Sequence, residues 1–457
     1  MSARYDHRTV LILGAGRSGR AAARLVLARG GRPTIVDEQW QQEVLAAFAC
    51  EGISCMTANR DHLPDGSFDL VITSPSIPLE HPWIVTAYNR GLSVISELEF
   101  GAAYWQGTLF AITGSKGKSS VVKCLTDTLV LAGFTAVTAG NYGTPLCERV
   151  LTCELHQEKT IAVVEVSSFQ MEHTRNFAPR FAAILNIQAD HLDRHHTMET
   201  YVALKYKLFQ AQCAGRDYAF LPIDLPDSKA LPQGVALERF GMADSAEWRY
   251  EAGKVFHQQG EIAVTGYFDN RVLGSAAALI AAMLTRFGLS SEQIATGFAS
   301  FIPLPHRMQK IGEWNGITFI DDSKATTLAA TNAALIMAGK EIRLIAGGLL
   351  KESDLNILDE TLRARVRKVY LIGATVTALF NAWKDVVPCE CCNVMSEAVQ
   401  RASTEANAGD TILLSPGTAS FDQYTGMAAR GDDFHRCFEH LPSLMAPTGA
   451  SLNETAQ

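Results

Sequence analysis

The sequence predicts an α/β protein of three successive domains, and three observations carry that expectation. Short apolar strands recur along the chain, several of them running into glycine or Ser-Pro. Ala- and Leu-rich helical stretches follow them at the spacing of β-α-β units. At 457 residues the chain is too long for one ordinary domain. In parallel sheets ligands gather at the carboxyl edge of the strands, so residues in these strand-end turns are the first candidates for a site.

The first segment, 1–107, opens with a strand at Thr9–Leu13, turns through Gly14-Ala-Gly-Arg-Ser-Gly19 and enters a helix ending near Gly30-Gly31. A second strand follows at Thr34–Asp37, and a third, Asp69–Thr73, is stopped by Ser74-Pro75. The second segment, 108–305, begins with Thr108–Thr113, a glycine-rich turn and a helix from Ser119, with later strands at Ile161–Glu165 and Ala182–Asn186. The third, 306–457, follows Pro303-Leu-Pro305 and carries strands at Ile317–Ile320, Ile342–Ala346, Val369–Ile372 and Thr411–Leu414. The polar tail after Pro447 reads as disordered.

Composition narrows the function classes. The chain is 47% apolar and 19% charged, with a net charge of −8, which gives no electrostatic reason for nucleic acid or an anionic membrane as partner. Residues 1–8 are polar and no apolar run is long enough to span a bilayer, so the expected location is the cytoplasm. The ten cysteines do not form a disulfide framework, and Cys389, Cys391 and Cys392 lack zinc-site spacing.

Between strand and helix, Gly114-Ser115-Lys116-Gly117-Lys118-Ser119-Ser120 is a phosphate loop, with two residues where the common pattern has four. Its glycines let backbone N–H groups face phosphate oxygens, Lys118 supplies charge, and the Ser119 hydroxyl is a Mg²⁺ ligand. Glu165 ends an apolar strand and is well placed for the same ion. Asp190-His-Leu-Asp-Arg-His-His196 follows another buried strand, and Tyr201 and Lys205 lie one helical turn apart. Gly14-x-Gly16-x-x-Gly19 with Asp37 fits a dinucleotide or a UDP-sugar equally well.

Taken in order, the motifs GSKGKSS, Gly140-Asn-Tyr-Gly143, EVSSFQME, LNIQADHLDRH, YVALK, LPHR, DDSKAT, AGG and LLSPGTASFDQ resemble the Mur ligases from about residue 9 to 440. The Thr73-Ser-Pro75 strand end is similar to the branch that adds glutamate to UDP-N-acetylmuramoyl-L-alanine in peptidoglycan precursor synthesis. The resemblance implies a Rossmann-like UDP-binding domain, a central P-loop ATPase-type domain and a Rossmann-like C-terminal domain, closing about hinges near 107 and 305. It implies ATP and two Mg²⁺ ions as cofactors, small-molecule substrates and a monomer.

Residue by residue, the resemblance implies catalytic roles for Lys118, Glu165, His191 and Lys205, with Lys205 carried as a carbamate. Ser119 and Glu165 would hold one Mg²⁺, and His191 and the Lys205 carbamate the other. ATP would meet Gly114, Lys116, Gly117, Lys118, Ser119, Ser120, Asn270, Arg307 and Asp322. The UDP-linked substrate would meet Arg17, Ser18, Asp37, Ser74, Asn141, Ser167 and Gln170, and glutamate would meet Lys324, Thr326, Lys351, Ser420 and Met427.

The chain also departs from the family pattern. Ser76 replaces the glycine of a Ser-Pro-Gly turn, and Gly266-Tyr-Phe-Asp-Asn270 replaces Gly-x-His-Asn. The third domain carries Asp321…Thr327 for a segment flanked by asparagines, Leu349-Leu350 where Asp-Gly is common, and Met427 where an aromatic packs. Clustering near the amino-acid pocket makes L-glutamate a rival to D-glutamate. Three further readings compete with the glutamate ligase: a folylpolyglutamate synthase-like ligase, a nicotinamide dehydrogenase and a non-catalytic UDP-sugar-binding protein.

Overall fold

The structure is a computed structural model that describes residues 5–227, 230–350 and 354–441. It divides into two compact units, residues 1–301 and 302–457. The first unit carries two sheets and the second carries one, all rich in parallel pairs.

The first sheet is built from β1 (Thr9–Leu13), β2 (Arg32–Asp37), β3 (Ser54–Thr57), β4 (Leu70–Thr73) and β5 (Val94–Ser96), in the order β3-β2-β1-β4-β5. Its central strand shows why these residues make an interior strand. Val10 and Ile12 enter one core with Ala22 and Leu25 of helix Arg17–Ala28, while Leu11 and Leu13 enter another with Val71, Trp83 and Ile84. A strand buried on both faces reads as a continuous apolar run, and Thr9-Val-Leu-Ile-Leu13 is one. The order reverses at β1 and β4, so the turns after these two strands flank a crevice at the sheet's carboxyl edge.

The second sheet takes the strands β6 (Leu109–Thr113), β7 (Thr135–Gly140), β8 (Thr160–Glu165), β9 (Phe181–Ile184), β10 (Tyr218–Pro222), β11 (Ala236–Gly241), β12 (Trp248–Glu251), β13 (Lys254–His257) and β14 (Gly260–Ala263). Their order is β14-β13-β12-β11-β10-β9-β6-β8-β7. The β12–β14 meander is antiparallel. It has no clear sequence signal, because β13 and β14 each bury a single residue and carry little apolar periodicity. The parallel core β9-β6-β8 places the turns after Thr113, Glu165 and Ile184 side by side.

The second unit holds β15 (Gln309–Trp314), β16 (Ile317–Asp321), β17 (Ile342–Gly347), β18 (Val366–Ile372), β19 (Cys389–Asn393) and β20 (Thr411–Leu414), ordered β15-β16-β20-β17-β18-β19. Only β15 runs antiparallel, at the edge. Leu344 and Ala346 face one core and Ile345 the other, the same two-sided burial as in β1. The tail after Pro447 lies outside the described residues.

Candidate active site

The phosphate loop joins β6 to helix Lys118–Leu131, with Gly117 at a φ of +84° that side chains rarely adopt. The Asn186 side chain latches it. Its oxygen accepts the N–H groups of Ser115 and Lys116 at 3.0 and 2.9 Å, and its amide donates to the Lys116 carbonyl at 3.0 Å. The Ser115 hydroxyl lies 2.9 Å from that of Tyr201 and donates to the Gln188 carbonyl at 2.9 Å. The Lys116 ammonium pairs with Asp190 at 3.2 Å. Ser119 and Ser120 sit buried in the first helical turn, where backbone N–H groups lack intrahelical partners.

Two lysines meet at this loop. Lys118 donates to the carbonyls of Gly114 and Ser115 at 2.7 and 3.1 Å, and Lys205 donates to the Gly114 carbonyl at 2.9 Å. Lys205 is only 1% exposed. Burial first, and the neighbouring Lys118 charge second, push its ammonium down to about 7.

Glu165 ends β8 on the neighbouring strand and is 2% exposed. One of its oxygens accepts the Asn141 amide at 2.6 Å, while the other, Oε2, is buried without a hydrogen-bond partner. An orphaned carboxylate oxygen is costly in a protein interior unless a cation completes it. With the Ser119 hydroxyl at the adjacent loop, the donor set is of hard oxygens and fits Mg²⁺. His191 precedes helix Leu192–His195 at a φ of +55°, its ring half exposed and 3.8 Å from Asp190. Ser167 and Gln170 close a capping box on the short helix Ser168–Met171.

At the first sheet, Gly19 packs so tightly on the turn that a Cβ would stand 1.9 Å from the Gly14 carbonyl oxygen. Asp37 accepts the Ala15 N–H at 2.7 Å, and the Ser74 hydroxyl donates to the Gly14 carbonyl at 3.3 Å. Both side chains therefore shape the turn. Arg17 and Ser18 open the following helix, and Arg17 reaches the Gly143 carbonyl at 2.8 Å. Asn270 spends its side chain locally. Its amide donates to the Tyr267 carbonyl, and its oxygen accepts the Val272 and Leu273 N–H groups at the start of helix Gly274–Phe287.

In the second unit, Asp322 is 8% exposed and accepts the Ser415 hydroxyl at 3.0 Å and the Met308 N–H at 3.2 Å. Burial pushes its carboxyl up to about 7, against the pull of the Ser415 hydrogen bond. Arg307 follows His306, whose ring bonds Asp321 at 2.6 Å, and His435 bonds the same Asp321 oxygen at 2.9 Å. Lys324 is exposed, Thr326 half-buried and Ser420 buried. Met427 begins helix Met427–Glu439 and accepts the Ser323 hydroxyl at its carbonyl. Lys351 lies outside the described residues.

Three residues escape sequence reasoning: Asn186, Arg194 and Arg430. Buried Arg430 donates to the Ser323 hydroxyl and carbonyl at 3.0 and 2.9 Å, to Thr418 at 3.1 Å and to Gly347 at 3.4 Å, uniting three strand-end turns. Burial holds its guanidinium down at about 10. Its only sequence signal is the sparse segment Arg430-Gly-Asp432.

Known proteins resemble this chain along most of its length. Residues 8–96 match the Mur ligase MurD-like N-terminal domain, 112–281 the Mur ligase middle domain, and 306–417 the Mur ligase glutamate ligase domain. The UDP-N-acetylmuramoylalanine–D-glutamate ligase of Nitratidesulfovibrio vulgaris is 34% identical, covering 94% of this chain and 96% of its own. The enzyme of that name from Dinoroseobacter shibae is 36% identical over 94% and 97%. Among solved structures, MurF ligase from Thermotoga maritima in complex with ADP aligns at a TM-score of 0.59 and 16% identity over 90% of this chain and 95% of that one. UDP-N-acetylmuramate-alanine ligase MurC from Thermotoga maritima aligns at 0.56 and 15% over 95% and 99%. With three family domains in order and relatives at a third identity along nearly its whole length, the chain belongs to the Mur ligase family of ATP-dependent amide-forming enzymes.

Proposed function

We propose that the protein joins D-glutamate to UDP-N-acetylmuramoyl-L-alanine at the expense of ATP, in peptidoglycan precursor synthesis. The observation that carries this reading is the convergence of Lys118 and Lys205 on one carbonyl of the phosphate loop, on the strand beside the orphaned Glu165 oxygen.

A substrate carboxylate oxygen attacks the γ-phosphorus of ATP, the bond to ADP breaks, and an acyl phosphate forms. The amine of glutamate then attacks the acyl carbon. The tetrahedral intermediate sheds phosphate, and a proton leaves the nitrogen. The protein's work is positioning and charge stabilisation. Lys118 leaves the loop carbonyls to neutralise the β/γ-phosphates, and the helix-start N–H groups face the same oxygens. Asn186 keeps Ser115 and Lys116 in place while this happens. Asn141 and Glu165, already paired, stand at the adjacent strand end. Mg²⁺, when bound, supplies positive charge to the phosphoryl oxygens.

Ser119 and Glu165 would hold one such ion, and His191 with a carbamylated Lys205 a second. An ammonium is no ligand for Mg²⁺, whereas a carbamate offers hard oxygens, and an amine held near 7 is neutral often enough to take up CO₂. Asp322 and Arg307 are assigned to ATP. Lys324, Thr326, Lys351, Ser420 and Met427 are assigned to glutamate, and Arg17, Ser18, Asp37, Ser74, Ser167 and Gln170 to the uridine nucleotide. The three-domain division at 107 and 305, a monomer and a cytoplasmic location complete the reading. Among the described residues no helix is long and apolar enough to cross a membrane. Retention of Lys118, Glu165, His191 and Lys205 argues against a non-catalytic binding protein.

The test is phosphate release from ATP with Mg²⁺ and UDP-N-acetylmuramoyl-L-alanine, comparing D-glutamate, L-glutamate and no amino acid. Release that needs D-glutamate is the expected result. Release that needs L-glutamate keeps the chemistry and moves specificity to the departures at Leu349, Leu350 and Met427. Release with neither overturns the reading.

A further inference from the structure

The sugar-nucleotide turn of the first sheet and the His191 loop of the second are tied together by one side chain. Arg194 lies in helix Leu192–His195, directly after His191. Its Nη1 donates to the Ser76 carbonyl at 3.1 Å, and its Nη2 to those of Pro75 and Ile77 at 3.1 and 2.9 Å. Three successive carbonyls of the turn after β4 thus share one guanidinium. Its other bonds go to Glu172, Nε to Oε1 at 3.0 Å and Nη2 to Oε2 at 2.6 Å, in a two-pronged ion pair. Both partners are withdrawn from water, with side chains 13% and 2% exposed. The Phe169 ring stacks on the guanidinium at 4.6 Å, and His195 stands 3.6 Å from Glu172.

Such a pair is hard to explain as stability alone. A buried ion pair roughly offsets its own desolvation, so its net contribution to folding is small. Here burial pushes the Glu172 carboxyl up despite Arg194 beside it. What the pair does deliver is geometry. A planar guanidinium with every nitrogen engaged fixes the distance and angle between the groups it bonds. Those groups belong to three pieces of the proposed site. The turn carries Ser74, Glu172 ends the stretch with Ser167 and Gln170, and the Arg194 helix begins at His191.

The clamp also accounts for Ser76. A glycine is required in a turn when the backbone needs a positive φ, and Ser76 is not among the residues that have one. The turn here is held by a cation on its carbonyls.

We propose that Arg194, anchored by Glu172, is a positioning residue that sets the uridine-nucleotide turn at 74–77 against the His191 loop. This determines how the muramoyl-alanine carboxylate is presented to ATP. The proposal rests on the functional reading above. The experiment uses the full-length enzyme and three variants, Arg194→Ala, Arg194→Lys and Glu172→Gln. It measures kcat, the KM for UDP-N-acetylmuramoyl-L-alanine, the KM for ATP, and thermal unfolding.

Loss of charge-assisted bonds to the turn is expected to raise the KM for the uridine nucleotide by about tenfold or more in Arg194→Ala, with a lower kcat. The KM for ATP should stay within about twofold, since the phosphate loop is latched separately by Asn186. Arg194→Lys keeps the charge but not the fork, and should recover only part of the loss. Glu172→Gln retains the shape, and should shift the same KM in the same direction by less. If Arg194→Ala does not fold, Arg194→Lys and Glu172→Gln carry the comparison. Variants that unfold earlier yet keep both KM values overturn the proposal, as do variants in which both KM values rise together. A wild-type enzyme inert toward the uridine nucleotide instead overturns the functional reading itself.

Discussion

The ammonium groups of Lys118 and Lys205 both donate to the carbonyl oxygen of Gly114, at 2.7 and 2.9 Å. Burial first, and the Lys118 charge on the same acceptor second, act against the Lys205 ammonium. Together they bring Lys205 down to about 7, beside the lysine proposed to meet the phosphates. An amine in that range is nucleophilic at neutral pH, and CO₂ is the small electrophile whose adduct turns a lysine into an oxygen ligand. The functional reading leads from this pair to four measurements.

Carbamylation of Lys205 should follow its neutral fraction. The folded amine loses its proton as pH rises through about 7, so uptake of CO₂ should grow across that range. Enzyme stripped of bicarbonate should be nearly inactive, and added bicarbonate should restore more activity above pH 7 than below it. Loading with ¹³C-bicarbonate should give a carbamate carbon signal that Lys205→Ala lacks. A full-activity, bicarbonate-independent enzyme would remove the carbamate from the site.

Lys118→Ala should lower turnover by roughly 10²–10³-fold, about 3 kcal/mol of transition-state stabilisation, because the loop loses the cation it brings to the phosphates. Steady-state phosphate release measures it. Near-wild-type rates would sink the ATP assignment.

Glu165→Gln keeps the side chain's shape but replaces a carboxylate with an amide beside Asn141, removing the charge behind Oε2. The Mg²⁺ concentration for half-maximal activity should rise at least about tenfold, with unfolding temperature little changed. An unaltered Mg²⁺ titration would separate Glu165 from the ion.

With Asp322 assigned to ATP as proposed above, ATP binding should depend on pH with a definite sign. Its buried carboxyl, pushed up to about 7, becomes the charged acceptor only above that pH. The KM for ATP should therefore fall as pH rises through 7, and Asp322→Asn should flatten that dependence.

A packing test is independent of chemistry. Gly431 lies inside helix Met427–Glu439, where alanine ordinarily stabilises by about 1 kcal/mol. Here a Cβ would stand 2.1 Å from His306 Nδ1 and 2.8 Å from the Asp321 carboxylate. Gly431→Ala should instead destabilise by about 1–3 kcal/mol, read as a lower unfolding temperature.

The parts legible in the sequence are those with a side-chain signature in a contiguous segment. Glu165 stands out as an acid ending an apolar strand, and Gly114–Ser120 as a loop between strand and helix; both occupy those places here. Strand interiors are legible because burial on two faces leaves unbroken apolar runs, as in β1. Residues that act on distant backbone carbonyls are not legible. Arg194 serves a turn 118 residues upstream of it, at Ser76, and Arg430 one 83 residues upstream, at Gly347. A carbonyl has no letter in the sequence, so nothing local announces its partner. Local hydrogen bonds to backbone N–H groups are equally silent in the sequence: Asn270 accepts those of Val272 and Leu273 just before helix Gly274–Phe287, and Asp37 accepts that of Ala15 in the glycine turn.

Arg430 has a consequence for how the enzyme comes into being on the ribosome. The turns at Gly347, Ser323 and Thr418 share this one donor, and it resides on the last helix among the described residues. During synthesis Ser323 and Gly347 are made 107 and 83 residues before Arg430, and Thr418 only 12 before it, so the first two turns wait longest for their shared donor. The part of the enzyme proposed to take glutamate therefore gains this anchor only once helix Met427–Glu439 has been made.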